Sequence, residues 1–362
     1  MEQHITIKDI AAHTGVSPGT VDRVIHNRGN VSAKVSERIM AAMKELGYQP
    51  NIAARTLANR HKPLRVVALL PDYTKDLYWV QPKEGVERAV ADAAHYGVVV
   101  RYCFFSQFDA EDFVKKSQDI LSDEPDALLL APIFLAESQH LLVEAGHRNI
   151  CSVLINTQIE HKAALSYIGQ DSYQSGVLAG RLLNFGLNDG DEALVLNLDF
   201  SVANAKHLMD KQRGFEDFFK GTSDKSIVIH QAAIDFFDDA PCLKDWADDF
   251  FSRHPRLSGV FVTNSRAYLL LNVLPPALQK RLKVVGFDLI QPNIDLLAEN
   301  KIRFLINQNA WHQGYLGLLS IINHLVMSRN VPPLQYLPLD IVVKENVQYY
   351  LKRMLELPIA VV

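Results

Sequence analysis

Residues 14–24 read TGVSPGTVDRV, and within them Gly15-Val16-Ser17-Pro18-Gly19 spells G-x-S-x-G, the letter pattern of a hydrolase nucleophile elbow. An elbow needs an apolar β-strand leading into its serine. What precedes Gly15 is ITIKDIAAH, in which Ile7, Ile10 and Ala11 recur at helical spacing and Thr6 with Asp9 makes a helix-start signature. The strand is missing. Ser17 therefore reads as a helix N-cap, Pro18 as a first helical residue whose missing N–H costs nothing, and Gly15 as the residue past the preceding helix. Val21, Val24 and Ile25 give the second helix an inward face, and a third helix from Ser32 carries Val35, Ile39, Met43 and Leu46 before stopping at Gly47. Helix, glycine turn, helix predicts a helix-turn-helix. By pattern alone, a three-helix bundle that never touches DNA stays open beside it.

Charge separates this segment from the rest. Residues 1–62 hold nine Lys/Arg against five Asp/Glu, a net +4, so with −4 for the whole chain the remainder carries −8. A small basic head on an acidic body is the asymmetry expected when only the head meets phosphate. At 362 residues the chain exceeds one hydrophobic core, and 48% hydrophobic with 22% charged residues is the composition of an ordinary globular protein.

The run ITIKDIAAHTGVSPGTVDRVIHNRGNVSAKVSERIMAAMKELGYQPNIAARTLA resembles, without a gap, the DNA-binding head and hinge of the LacI-type (lactose repressor) transcription regulators. The resemblance implies that the helix from Ser17 to about His26 lies in the major groove. Pro18 and Gly19 stand where relatives read bases and have no side-chain hydrogen-bonding groups, which leaves Arg23 as the first choice for gripping a guanine through two bonds. Ser17 and Thr20 are expected on phosphates, with His26 a further contact. Asp22 departs from the usual small hydroxyl residue; it either accepts from a cytosine amino group or pairs with Arg23 or Arg28. The resemblance also implies that NIAARTLANR is a hinge helix that folds only on operator DNA, capped by Asn51, with Leu57 wedging into the minor groove and Ala54 beside it. A plain linker is the alternative there.

From Leu64 the pattern becomes alternating strands and helices. LRVVALLP, VVVRYCFF, DALLLAPI and CSVLINT are spaced by helical segments, and the rhythm restarts with EALVLNLD, SIVIHQAA, SGVFVTN and LKVVGFD. Two such sets predict two parallel, doubly wound sheets with a cleft between the carboxyl ends of their strands. SYIGQDSYQSGVLAGRLL, NSRAYL and VVGFDLI resemble the type I periplasmic sugar-binding fold that forms the effector domain of the same regulators. The expected plan is a small all-α head over residues 1–47, a hinge over 48–62 and an α/β effector-binding and dimerisation domain over 63–362. Its lobes are expected at about 63–183 with 308–337, and 184–307 with 338–362.

Asp72, Asn264 and Asp288 end strands, where they serve either a ligand or the cap of the next helix. The resemblance implies that Asp171, Asn264, Asp288 and Gln308 grip sugar hydroxyls, since carboxylates accept and amides both donate and accept. Lys211 stands where an arginine is usual, with Arg213 the competing cation, and it permits an acidic or phosphorylated sugar. Phe236 or Phe237 is expected to stack on the sugar, with core packing as the alternative; Tyr73, Tyr78 and Trp79 are further stacking candidates.

Other classes are disfavoured. There is neither a G-x-G-x-x-G after the first strand nor a G-x-x-x-x-G-K-[ST] loop, His4, His13 and His26 are not spaced as a metal set, and no cofactor is expected. Cys103, Cys151 and Cys242 form no CxxC pair and read as buried small hydrophobes. No signal segment or membrane-length apolar run is present, which points to a cytoplasmic protein. The expected partners are a palindromic operator DNA, a small-molecule effector and a second copy of the chain; a tetramer stays open, because the C-terminal VQYYLKRMLELPIAVV lacks sustained heptads.

Overall fold

The N-terminal helices are set by their caps. In the computed structural model, which describes residues 5–25, 29, 31–46, 63–199 and 204–356 with side chains to residue 351, α1 spans Ile7–Thr14, α2 Pro18–Ile25 and α3 Ala33–Glu45. The Thr6 N–H donates to the Asp9 carboxylate at 2.7 Å while the Asp9 N–H donates to the Thr6 hydroxyl, a reciprocal cap. Gly15 ends α1 at φ +67°, a left-handed conformation that a side chain would oppose. Two residues later the Ser17 hydroxyl accepts from the Thr20 N–H at 3.1 Å and starts α2. Ile10, Val21 and Ile39 are entirely buried and hold the three helices together, each contributing roughly 1.5–3 kcal/mol by burial. His26 and the hinge residues Asn51, Ala54 and Leu57 lie outside the described residues.

The body runs β1 Leu64–Pro71, α4 Val80–Asp92, β2 Val98–Phe105, α5 Ala110–Asp123, β3 Ala127–Leu130, α6 Leu135–His147, β4 Cys151–Ile155 and β5 Ala164–Gly169. It continues with α7 Ser172–Gly186, β6 Glu192–Leu198, α8 Lys206–Gly221, β7 Val228–Ile234, α9 Ala240–Arg253, β8 Leu257–Val262, α10 Ala267–Val273, α11 Pro276–Arg281 and β9 Lys283–Phe287. The last part is α12 Gln291–Ala298, β10 Phe304–Asn307, α13 Ala310–Leu325, β11 Leu334–Tyr336, β12 Asp340–Val342 and α14 Val347–Glu356.

The described strands form two sheets, ordered β11-β5-β4-β3-β1-β2 and β12-β10-β9-β8-β6-β7. Each therefore winds outward in both directions from its first strand, which opens a crevice at the carboxyl ends beside β1 in one lobe and β6 in the other. All pairings are parallel except β10 with β12, so the second sheet is not wholly parallel and carries one antiparallel edge. The central strands are buried on both faces, as β1 and β6 show from their first interior residues onward.

The chain crosses between the lobes three times, after β5, after β10 and after β11. The first crossing corrects the expected boundary at residue 183. Helix α7 follows a first-lobe strand yet buries Ala179, Leu182 and Leu183 against Val195, Phe261 and Phe287 of the second lobe. Its apolar face gives no sign of which sheet it covers, so a βα rhythm assigns it to the strand before it. Conversely, α13 packs on α4 and the first sheet. Helices α7 and α8 meet where Gly176 faces the Lys211 backbone; a Cβ there would run into the Lys211 carbonyl. The glycine thereby fixes how far α8 sits from α7.

The cysteines only partly follow expectation. Cys103 is buried, Cys151 half-buried and Cys242 exposed, because Cys242 sits on the solvent side of the first turn of α9, its N–H donated to the Asp239 cap. No described helix is long and apolar enough to cross a membrane.

Candidate functional site

The carboxyl ends of the two sheets face each other across a narrow cleft that encloses about 60 Å3 with the lobes in this position. One wall comes from Asp76, Tyr78 and Trp79 after β1, Gln107 after β2 and Asn156 after β4. The other comes from Asn264, Ser265 and Arg266 after β8, Asp288 after β9, Gln308 after β10, and His207 and Lys211 on α8. Every strand-end residue in this set is there because a parallel sheet delivers all its carboxyl ends to one edge.

The deepest group is built on Lys211, only 1% exposed, and Asp288, 2% exposed. Lys211 Nζ donates to the Thr263 carbonyl at 3.0 Å and lies 3.6 Å from the centre of the Phe287 ring. Burial pushes the ammonium of Lys211 down and the carboxyl of Asp288 up, and the attraction between the two charges works against both shifts. Asp288 stands at φ +67°, in the left-handed region, and lines the cleft. Gln308 Nε2 donates to Asp288 Oδ2 at 2.7 Å, and Gln308 Oε1 accepts from Gln170 Nε2. Among the described residues, Asp288 Oδ1 has no hydrogen-bond partner although it is buried. A buried acceptor in that state calls for a donor.

A second group spans the two lobes. Arg266 Nη2 donates to Asp76 Oδ2 at 2.7 Å, Gln107 Nε2 donates to the same oxygen at 2.9 Å, and Arg266 Nη1 reaches the Leu198 carbonyl at 2.7 Å. The guanidinium lies against a pair of touching rings, Phe108 of one lobe and Phe237 of the other, at 5.2 and 4.7 Å from their centres. His207 Nδ1 meets the Thr157 hydroxyl at 3.2 Å from the opposite lobe. Enclosure, with the Lys211, Arg266 and Lys206 charges added, pushes its imidazole down to about 3, so it stays neutral. The Asn204 Oδ1 accepts from the Leu135 N–H at 3.1 Å, a further tie across the opening. The lobes are closed on each other.

Of the expected ligand residues, Lys211, Asn264, Asp288 and Gln308 come together in this cleft, with Tyr78 and Trp79 in its wall. Asn264 spends its amide locally, donating to the Leu198 carbonyl at 2.9 Å and accepting from the Arg266 N–H at 3.2 Å. Arg213 points elsewhere, pairing with Asp210 at 3.5 Å and lying over Tyr173. Four expectations are corrected. The Asp72 carboxylate folds back on the Thr74 N–H and hydroxyl, so the loop reaches the cleft only at Asp76. Tyr73 packs edge-on against Phe104 beneath Lys83. Asp171 caps α7 through the Gln174 N–H at 2.9 Å and faces a separate polar recess with Lys206, Asp210 and Arg213. Phe236 faces solvent, and it is buried Phe237 that meets Arg266. Asp76, Gln107, Asn156, His207 and Arg266 join the cleft without having been expected there. Only Arg266, two residues past Asn264 in the same strand-end turn, carried a local signal.

Ser17, Pro18, Gly19 and Arg23 are exposed on one side of α2, with Thr20 and Asp22 half-buried beside them, while Val21 is turned into the core. The family model described as bacterial regulatory proteins, lacI family, matches residues 6–51, and that of the periplasmic binding protein domain matches residues 66–326. The chain belongs to the LacI family of regulators. As such it joins a helix-turn-helix head to a periplasmic-binding-protein body, and it is a DNA-binding transcription regulator rather than an enzyme.

This LacI-family chain is 23% identical over 336 residues to the HTH-type transcriptional regulator MalR of Streptococcus pneumoniae, covering 90% of this chain and 94% of that one. It is 26% identical over 289 residues to the ribose operon repressor of Halalkalibacterium halodurans, covering 78% and 80%. Among solved structures, a putative LacI transcriptional regulator from Bacteroides fragilis superposes with a TM-score of 0.72 at 25% identity, covering 80% of this chain and all of that one. A solute-binding protein of Agrobacterium vitis, bound to alpha-D-tagatopyranose, shares the fold at a TM-score of 0.69.

Proposed function

We propose that this regulator, a repressor, binds a neutral sugar or sugar derivative in the interlobe cleft and that this ligand controls its hold on a palindromic operator. The observation that carries the ligand class is the buried, unpartnered Asp288 Oδ1 beside Gln308: it suits a ligand hydroxyl, which donates to a carboxylate without adding charge. Lys211 argues for a neutral ligand, because its ammonium is engaged by the Thr263 carbonyl and the Asp288 charge, while Arg266 is engaged by Asp76. Asp288 and Gln308 hold the hydroxyls, Lys211 sets the carboxylate in place, and Asn264 borders the ligand. The indole of Trp79 supplies an apolar wall.

In the head, Arg23 reads a base while Ser17 and Thr20 hold phosphates; Asp22 trims which bases are accepted. Two chains, working in the cytoplasm, set two heads on the two half-sites of the operator. Ligand binding changes the balance between closed and open lobes and so the support given to the hinge, which requires unequal affinity for the two states.

The test is a thermal-shift screen of neutral, acidic and phosphorylated sugars, followed by gel-shift titration on duplexes selected from a random pool with and without each hit. A neutral sugar that stabilises the wild type but not Asp288→Asn, and that changes operator affinity, is the expected result. Hits confined to phosphorylated or acidic sugars would overturn the neutral-ligand reading, and absence of any sequence-selected duplex would overturn operator control.

A further inference from the structure

The second lobe carries another group of convergent side chains at the end of its sheet opposite the cleft. Glu192 opens β6, His230 lies on the adjacent strand β7 two residues past the one in register with Glu192, and His254 ends α9. His230 Nε2 is 2.8 Å and His254 Nδ1 3.3 Å from one and the same oxygen, Glu192 Oε2. Arg256 Nε donates to the other oxygen, Oε1, at 3.2 Å. Among the described residues this is the group of three His, Cys, Asp or Glu side chains whose ligand atoms all lie within 4.8 Å of one another.

We propose that Glu192, His230 and His254 bind a divalent transition-metal ion of the zinc class. Two imidazole nitrogens and one carboxylate oxygen are the borderline donors such ions take, whereas calcium and magnesium prefer oxygen alone. Around a tetrahedral zinc with ligands at about 2.0–2.1 Å, neighbouring ligand atoms sit roughly 3.4 Å apart, so the present spacing needs only small side-chain movements. Orientation is already provided. Arg256 holds the carboxylate from outside the ligand set, and Phe250 packs against both imidazoles, 4.6 Å from His254 and 6.1 Å from His230, with Trp246 stacked behind it at 5.1 Å. The Glu192 side chain is 10% exposed and each histidine 23%, which leaves the fourth position to water from one side. The ion ties the starts of β6 and β7 to the end of α9, and so braces the second lobe far from the ligand cleft.

The competing account is a hydrogen-bonded cluster in which both imidazoles donate to one carboxylate. It is separated from metal binding by His230→Gln with His254→Asn, whose amides stand at the Nε2 and Nδ1 positions and keep the donors while removing the ligand nitrogens. The full chain, stripped with a chelator, is titrated with Zn2+ by calorimetry and with Co2+ by visible absorption. The wild type is expected to take up one equivalent of Zn2+ more than the double variant, to melt several degrees higher with Zn2+ than with chelator, and to show a Co2+ band that the variant lacks. Should the double variant not fold, His254→Asn alone is expected to bind Zn2+ about tenfold more weakly or worse. Equal stoichiometry and affinity in wild type and variant, or no uptake by the wild type at micromolar Zn2+, would overturn the proposal.

Discussion

The head and the cleft solve opposite problems. At α2 the residues proposed to meet DNA are exposed or half-buried, come from one short segment and depend on the fold only for the direction in which the helix faces. In the cleft the working side chains come from the ends of several strands and from α8, are mostly buried, and depend on one another for charge compensation. A substitution on the head should therefore change what is recognised with little effect on folding, whereas one in the cleft should change stability first.

Lys211→Met probes the second half of that contrast most severely. It strips the compensating charge from buried Asp288 and is expected to destabilise the body by about 3–5 kcal/mol in denaturant titrations. The double variant Lys211→Met/Asp288→Asn should recover more than half of that loss; no recovery would mean that the two charges are not coupled. His207 offers a pH handle on the closed cleft. Its imidazole has a folded pKa depressed to about 3 from the ordinary 6.5, so the unfolded chain binds the extra proton first. Its stability is fully present above pH 6.5 and is lost as pH falls towards 3. Between pH 6.5 and 4.5 the wild type is expected to lose roughly 2 kcal/mol more than His207→Asn, read from paired melting curves. Parallel curves would refute it. Because Asp288 is shifted the opposite way and is present in both proteins, the difference isolates His207.

On the head, Arg23→Ala should cost about 1–3 kcal/mol on a selected operator and relax the sequence preference, while the melting temperature of the body stays put. If the loss were equal on random DNA, Arg23 would be a phosphate contact, and the division between recognition and folding would hold for a different reason. Gly176→Ala tests the scaffold between these extremes. Pushing α8 off α7 is expected to cost about 1–3 kcal/mol and to weaken sugar binding with it, since Lys211 rides on the displaced helix. Weakened stability with unchanged ligand affinity would show that α8 relaxes without moving Lys211.

How far the molecule was legible follows the same division. The capping box at Thr6, the glycine at residue 15 and the serine cap at residue 17 are local devices acting over three or four residues, so the letters alone placed α1 and α2 and disqualified the nucleophile elbow. The buried strands announced themselves as apolar runs, and the two βα sets announced two lobes. The cleft was only half legible. Asp288 and Gln308 stand at strand ends that resemblance could mark, but Asp72 and Asp76 are both acids after β1, and only the folded loop, turned on Thr74, decides that the second reaches the cleft. Likewise the sequence could not choose between Phe236 and Phe237, because β7 has already ended and no alternation carries on into the turn.

Neighbours in the chain thus control the helix starts and stops, the burial of the strands and the basic head. Tertiary structure alone decided that α7 crosses to the second sheet, that Arg266 is clasped by Asp76 from the other lobe, and that Glu192, His230 and His254 meet. Those outcomes join residues tens to nearly two hundred positions apart, and no local propensity encodes such a pairing; it is fixed only when the sheets order their strands and bring the ends together.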